Sequence, residues 1–362
     1  MAIDKNFWKG RRVLITGNTG FKGAWLTFWL AEMGAEVTGF SLLPPTEPSM
    51  FELLGLSGAC TYVRGDVREL EPLEKTVAQA CPEVIFHMAA QALVLPSYRD
   101  PAGTYATNVM GTVNLLEAVR RVPARYTRSV VVVTTDKCYE NREQRVNYVE
   151  TDRLGGYDPY SSSKACAELV AAAYRNSYFN TGDYAAHKTG VATARAGNVI
   201  GGGDWAENRI LPDCVRALAK GEPVVLRRPL AVRPWQHVLE PLGGYLMLAQ
   251  KMHSGGAAFS KAYNFGPDAE DSLTVSELVD SFCAAIGGSV REEPDSSALH
   301  EAGLLMLDNT LAKSELGWKP VFKPRQAVGL AAQWIRGYLS GGDLREITSA
   351  QIGRYNENQT QF

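Results

Sequence analysis

Along the first two hundred residues, short β-branched runs alternate with longer stretches whose apolar residues recur every three to four positions. RVLIT (12–16), EVTGF (36–40), TYVRGDV (61–67), EVIFHMAA (83–90), SVVVVTT (129–135) and VATARAGNVIG (191–201) predict strands. WLTFWLAEMG (25–34), which stops at Gly34, and the segments near 69–80, 104–122 and 160–179 predict the helices between them. This β-α alternation predicts an α/β fold, a doubly wound parallel sheet.

The pattern loosens after about residue 200. GGGDW, LRRPLAVRPWQHV and YNFGPDAEDS read as loops dense in Gly, Pro and Arg, with helical patches at 208–220, 241–253, 274–287 and 308–316. The expected organisation is a dinucleotide-binding unit over 1–190 carrying the catalytic residues. A smaller lobe, mainly 191–362, follows it and interleaves with its end, without a linker.

At 362 residues the chain is long enough for two such lobes. A formal net charge of −2 gives no reason to expect nucleic acid or an anionic membrane as partner, so any anionic ligand must be met by local cations. Six cysteines lie without metal-ligand spacing and predict reduced thiols and no metal site. No apolar run approaches a membrane span and no signal peptide precedes the first strand, so the expectation is a cytoplasmic protein.

TGNTGFKG (16–23) joins the first strand to the first helix and places Gly17, Gly20 and Gly23 three apart. Glycines there allow a tight turn and a close approach of backbone to a pyrophosphate at the helix N-terminus, with Thr19, Phe21 and Lys22 beside it. The second strand ends in GFSLLPP, so Ser41 stands near the place of the usual ribose carboxylate and no arginine is placed for a 2′-phosphate. Modest discrimination between NAD and NADP is the expected consequence. Asp66 and Val67 after the third strand either reach adenine or begin the next helix, with Asp66 as its cap. HMAAQ (87–91) offers Ala89, Ala90 and Gln91 where a flat cofactor passes over backbone.

GYDPYSSSKACAEL (156–169) sets Tyr160 and Lys164 one helical turn apart, where an ammonium beside a phenol favours phenolate. TTDKCYEN (134–141) leaves its strand with a hydroxyl, a carboxylate and an amine side by side. Taken alone, that stretch reads as a solvated turn with a surface ion pair.

Together, the glycine loop, HMAAQ, Thr107-Asn108, TTDKCY, YSSSK and YNFGP resemble the extended short-chain dehydrogenase/reductase family over nearly the whole chain. The resemblance implies a Rossmann sheet, NAD as cofactor, a base at Tyr160 and Lys164, an orienting hydroxyl at Thr135, and a cofactor contact at Asn108. Within that family the chain is similar to nucleotide-sugar 4,6-dehydratases, which carry Thr-Asp-Glu where this sequence has Thr135-Asp136-Lys137. That departure, with GNTGFKGAWL, PPTEPSMFE and RPWQHVLEP, implies CDP-glucose as substrate.

Asp136 is then the acid for the C6 hydroxyl, which requires it to carry a proton. Lys137 is the base at C5, which requires a neutral amine, or it remains an ammonium that stabilises the enolate. Ser97 and Asn198 are expected to contact the nucleotide sugar, and Arg209 and Arg233 its diphosphate. His237 reads as structural. The segments 104–122 and 160–179 resemble helices that pair into a homodimer in this family. A nucleotide-sugar 4-epimerase, which has no use for Asp136-Lys137, and a dinucleotide-sensing regulator are the competing readings.

Overall fold

The computed structural model describes residues 3–144, 146–226, 228–268, 270–293 and 305–360. Its centre is a sheet of seven parallel strands, β1 (Arg12–Thr16), β2 (Glu36–Ser41), β3 (Thr61–Arg64), β4 (Val84–His87), β5 (Arg128–Val133), β6 (Thr189–Ala196) and β7 (Ala262–Phe265). Their order across the sheet is β7-β6-β5-β4-β1-β2-β3, the winding reversing direction between β1 and β4. Ligands of open parallel sheets bind beyond the strand C-termini at such a point.

The longer helices that pack on the sheet or flank the site are α1 (Phe21–Glu32), α2 (Leu70–Ala80), α3 (Gly111–Arg121), α4 (Pro159–Ser177), α5 (Ile210–Lys220), α6 (Leu239–Gly255) and α7 (Val275–Ile286). Strand residues alternate between two cores, as a pleated strand requires. Val13, Ile15, Phe86, Val131 and Ala192 face α1 and α6 through Trp25, Trp29, Tyr245 and Leu246. Leu14, Ile85, Val130, Val132 and Val191 face α2, α3 and α4 through Leu73, Val77, Leu115 and Ala171. Because both faces are covered, β5 is buried along its whole length.

The expected strands are present, most of them shorter at their C-terminal ends than the pattern suggested. One expectation is corrected. YNFGP is not simply loop: Ala262–Phe265 is the seventh strand, pairing in parallel with Thr193–Ala196 of β6. Its alternation is masked by Asn264, a fully buried amide whose Oδ1 accepts from the Tyr139 hydroxyl (2.8 Å) and whose Nδ2 donates to Tyr148 O (2.8 Å). Beyond residue 196 the chain forms small two-stranded pairs, such as Val199–Ile200 with Gln236–His237 and Val224–Leu226 with Val290–Glu292. Two further helices, Pro324–Leu339 and Leu344–Thr360, close the described chain. The sheet therefore draws strands from both sides of residue 190. Among the described residues no helix is long and apolar enough to cross a membrane.

Candidate active site

The turn after β1 is made of backbone. Gly17 has φ +76°, and a Cβ there would lie 2.7 Å from Ala89 N. A Cβ on Gly23 would lie 2.1 Å from Gly17 O, so loop and helix touch directly. Gly20 is the N-cap of α1, with no side-chain cap and no acidic residue in the first turn. The first amides of α1 are thus left for an external anion. These features fit a dinucleotide pyrophosphate.

Around that turn, Ser41 is buried and donates to Asn18 Oδ1 (2.8 Å) and Thr19 Oγ1 (3.1 Å), while Thr19 donates to Leu42 O (3.0 Å). Ser41 therefore braces the glycine loop as well as standing near the ribose position. Asp66 does not cap α2, whose N-cap is Glu69. Its carboxylate instead accepts from Arg68 N and Nε, both at 2.9 Å, and Arg68 holds it below the usual carboxylate range. Val67 is buried, and its carbonyl accepts from Asn114 Nδ2 (2.9 Å).

Beyond β4, Met88 N donates to Thr16 O (3.1 Å) and Ala89 N to Thr16 Oγ1 (3.3 Å), drawing the HMAAQ backbone over the glycine turn. Ala90 follows, and Gln91 exchanges hydrogen bonds with Asn108: Gln91 N to Oδ1 (2.8 Å) and Asn108 Nδ2 to Gln91 O (2.9 Å). The same Nδ2 reaches Ser163 Oγ (2.8 Å) on α4. Asn108 sits in a π-helical turn, Ala106–Met110, a feature common at functional sites. Its amide ties the cofactor edge to the helix carrying Tyr160. Ser97 is fully buried and gives its hydroxyl to Val94 O (2.6 Å).

Two devices bring Tyr160 and Lys164 to the end of β5. Asp158 caps α4 through Ser161 N (2.9 Å), with Pro159 opening the helix. Lys164 Nζ then donates to Val133 O (3.0 Å). The strand ends in the turn Asp136–Cys138, capped by Thr135. There Thr135 Oγ1 donates to Asp136 Oδ1 (2.9 Å) and Lys137 Nζ lies 3.6 Å from that oxygen. Asp136 is 1 % exposed, which rules out the solvated-turn reading, and its Oδ2 is buried without a partner.

Tyr160 is buried near the start of α4, and here the electrostatics depart from expectation. Burial raises Tyr160, and the leading influence in the other direction is Lys137, followed by the Thr135 hydroxyl, not Lys164. Lys164 is lowered by burial to about 8, with Glu168 and then Cys138 pulling it back up. Lys22, in the first turn of α1, is lowered to about 7 by burial and by Arg209 and Lys164, and it also feels Asp136 and Lys137.

From the second lobe, Gly197 lies directly behind Asp136: a Cβ there would be 3.1 Å from Oδ2. The next residue, Asn198, has a buried Oδ1 with no partner. Asp136 Oδ2 and Asn198 Oδ1 are thus each left open to a hydroxyl or amide donor. Arg209 pairs with Asp204 (2.9 Å) and also lowers Tyr160, so it stands at the reacting centre. Arg233 is buried and donates to Val232 O (3.1 Å). Arg227 of the same arginine-rich stretch lies outside the described residues. His237 is fully buried between Trp25 and Phe322, with ring centroids 5.8 Å away in each case, and burial lowers it to about 3. Among the described residues there is no His/Cys/Asp/Glu cluster able to hold a metal.

Sequence reading passed over Asp204, Ser163, Glu168 and Arg195. Only Glu168 carried a signal, lying one further turn along the Tyr160–Lys164 stripe.

A family model described as GDP-mannose 4,6 dehydratase matches residues 14–329. The chain belongs to this family. It is 48% identical to the CDP-glucose 4,6-dehydratase of Salmonella typhimurium over 354 residues, 98% of each chain. The solved dTDP-glucose 4,6-dehydratase DesIV of Streptomyces venezuelae, with NAD and TYD bound, is 25% identical. It superposes with a TM-score of 0.77 over 92% of this chain and 99% of its own. A UDP-glucose 4-epimerase of Thermotoga maritima, solved with UDP-glucose, shares the fold at 22% identity with a TM-score of 0.76, covering 90% of this chain and 99% of its own. Dehydratase and epimerase thus use one scaffold, and what separates them lies in the site.

Proposed function

We propose that the protein is an NAD-dependent hydro-lyase that converts CDP-glucose to CDP-4-keto-6-deoxyglucose and water. Asp136 carries this reading: a fully buried carboxylate with one unmatched oxygen, its other oxygen taking the Thr135 hydroxyl and lying 3.6 Å from the Lys137 amine. An epimerase needs Thr135, Tyr160 and Lys164 but has no work for a second acid and amine. CDP as the nucleotide is supported by 48% identity along nearly the whole of a CDP-glucose enzyme.

When bound on the glycine loop, NAD supplies the acceptor for the C4 hydride and returns the same hydride to C6, so the reaction is redox-neutral. Gly17, Gly20 and Gly23 admit its pyrophosphate, with Thr19, Phe21, Ser41, Asp66, Val67 and Ala89–Gln91 along its course. Tyr160 takes the proton of the C4 hydroxyl, which Thr135 orients. The resulting ketone acidifies C5–H. Lys137 removes that proton while Asp136 protonates the departing C6 hydroxyl, releasing water; Lys137 gives its proton back to C5 when hydride reaches C6, and the proton taken from the C4 hydroxyl replaces the one Asp136 gave up. Asn198, Arg209 and Arg233 meet the nucleotide sugar, and Lys22 adds a cation at the same place. Residues 1–190 chiefly hold the cofactor and 191–362 the sugar nucleotide.

The same reading includes a homodimer through α3 and α4, where Leu169 on α4, Met110 just before α3 and Tyr178 just after α4 are exposed apolar positions. A monomer in sedimentation at micromolar concentration would contradict that part. All six cysteines are free thiols, in keeping with a cytoplasmic enzyme. The deciding experiment presents CDP-, UDP- and dTDP-glucose, deuterated at C4, to the purified protein. The expected product from CDP-glucose has lost one water and carries deuterium at C6. Unchanged mass with inverted C4 would make it an epimerase, and no turnover of any sugar nucleotide would leave only a sensing role.

A further inference from the structure

Beneath the reacting centre lies an ion pair to which the proposed reaction gives no direct part. Glu168 and Arg195 are each almost fully buried and meet at 2.8 Å (Oε2 to Nη2). Burial works to raise the Glu168 carboxyl, but Arg195 and two hydroxyl donors outweigh it and keep it charged. Thr134 donates to its Oε1 at 2.5 Å, and Thr193 of β6 to its Oε2 at 2.7 Å. On the other side, Arg195 Nη1 donates to the Tyr139 hydroxyl (2.7 Å) and Glu150 O (3.0 Å), with the guanidinium carbon 4.9 Å from the Tyr139 ring centre. Tyr139 is pinned further by Asn264 of β7.

These contacts have a pattern. Thr134 and Tyr139 are the residues that bracket the turn bearing Thr135, Asp136 and Lys137. Glu168 sits one turn beyond Lys164 on the helix that brings Tyr160. One ion pair therefore holds both ends of the acid/base turn and the helix opposite it, fixed to two neighbouring strands. We propose that Glu168 and Arg195 are positioning residues that keep the β5 turn and the α4 acid/base residues in register as one unit. This rests on the reading of Thr135–Lys137, Tyr160 and Lys164 as the reacting centre.

The pair has an electrostatic consequence for Lys164. The groups acting on Lys164 are Glu168 on its own helix and Cys138 in the turn, both of which raise it. His87 at the end of β4 and Lys22 on α1 face it as well, and Lys164 lowers both. Removing the Glu168 charge removes the larger raising influence, so the Lys164 midpoint must fall from about 8.

Single removal of a buried charge strands its partner and endangers folding, so the test uses milder cuts beside the direct one. Thr134→Val and Tyr139→Phe each break one arm and leave the ion pair intact. The expected result is a kcat about ten-fold lower for each, with KM for CDP-glucose and NAD affinity within about two-fold, because orientation and not binding is lost. Glu168→Gln should move the limb of the kcat–pH profile that reports protonated Lys164 about one unit toward lower pH, and Glu168→Asp, which keeps the charge, should restore it. Unchanged kcat in both arm variants, or a loss fully explained by a smaller folded fraction in near-UV circular dichroism, would overturn the proposal.

A titration without substrate separates this from the activity itself. In protein labelled with carbon-13 at lysine Cε, with the signal assigned from Lys164→Arg, the Lys164 midpoint should be lower in Glu168→Gln than in wild type. An unmoved midpoint sinks the inference even if CDP-glucose turns over. A lowered one sustains it even if that substrate proves wrong.

Discussion

The chain leaves β1 through glycines and leaves β5 through buried side chains, although only β4 separates the two strands in the sheet. At the first exit, α1 begins without a side-chain cap, and the space around Gly17 and Gly23 is closed to a Cβ. Its recognition is steric and dipolar: absent atoms and unclaimed amides face an anion. At the second exit, Thr134, Thr135, Asp136 and Lys137 are held by Glu168 and by each other. The first exit is general to dinucleotide binding and could serve an epimerase equally well. The second, with its orphaned Asp136 oxygen, is where the proposed elimination would set a dehydratase apart from that shared scaffold.

The two exits should fail differently. Tyr160→Phe attacks the β5 side and should cost about 10³-fold in kcat, the range for losing a general acid/base group, with NAD affinity unchanged by titration calorimetry. Gly23→Ala attacks the β1 side by forcing a methyl against Gly17 O, 2.1 Å from the Cβ position. NAD affinity should fall by about 100-fold, and the apoprotein should lose about 1–3 kcal/mol in urea unfolding. Gly20→Ala sharpens the contrast, because a Cβ there meets nothing closer than 3.4 Å. The apoprotein should keep its stability to within about 0.5 kcal/mol, while NAD weakens by about ten-fold as the methyl obstructs the pyrophosphate. Equal NAD affinity in Gly20→Ala and wild type would break the steric account.

The smallest effect concerns pH and draws on one histidine from each half. His87, between the Thr16 and Thr112 hydroxyls, and His237, between Trp25 and Phe322, are both lowered by burial to about 3. Each is neutral when folded and gains a proton on unfolding below about pH 6.5. Stability is therefore full above 6.5 and falls as pH drops toward 3, with a limiting slope of about 1.4 kcal/mol per pH unit for each histidine. His237→Phe should make the decline between pH 6.5 and 5 shallower by one proton in urea titrations. An unchanged slope would contradict it.

What could be read in the sequence reflects the same contrast. Six strands and the glycine turn were legible because periodicity and glycine spacing are local properties. Strand ends were overextended wherever backbone groups turn toward side chains, as Met88–Gln91 do toward Thr16 and Asn108. β7 escaped notice because Asn264 is polar yet fully buried, satisfied by Tyr139 and Tyr148 more than a hundred residues away. Motif resemblance brought Thr135, Asp136, Lys137, Tyr160 and Lys164 forward as candidates, and β5 and α4 carry them to one place, but their electrostatics were not legible. That Lys137 and not Lys164 leads in lowering Tyr160, and that Arg209 helps to lower Lys22, depend on how distant segments fold together.

The central claim, that Asp136-Lys137 performs the elimination on a general oxidising scaffold, is tested most directly by a single turnover of Lys137→Met. C4-deuterated CDP-glucose is mixed with excess enzyme and NAD, and nicotinamide absorbance and product mass are followed together. Oxidation at C4 should proceed and reduced nicotinamide should accumulate on the enzyme, with almost no sugar nucleotide losing water. Lys137→Glu, which restores a carboxylate base, should recover part of the water loss. Release of dehydrated, C6-deuterated product by Lys137→Met at the wild-type rate would contradict the account and reduce Lys137 to a partner of Asp136.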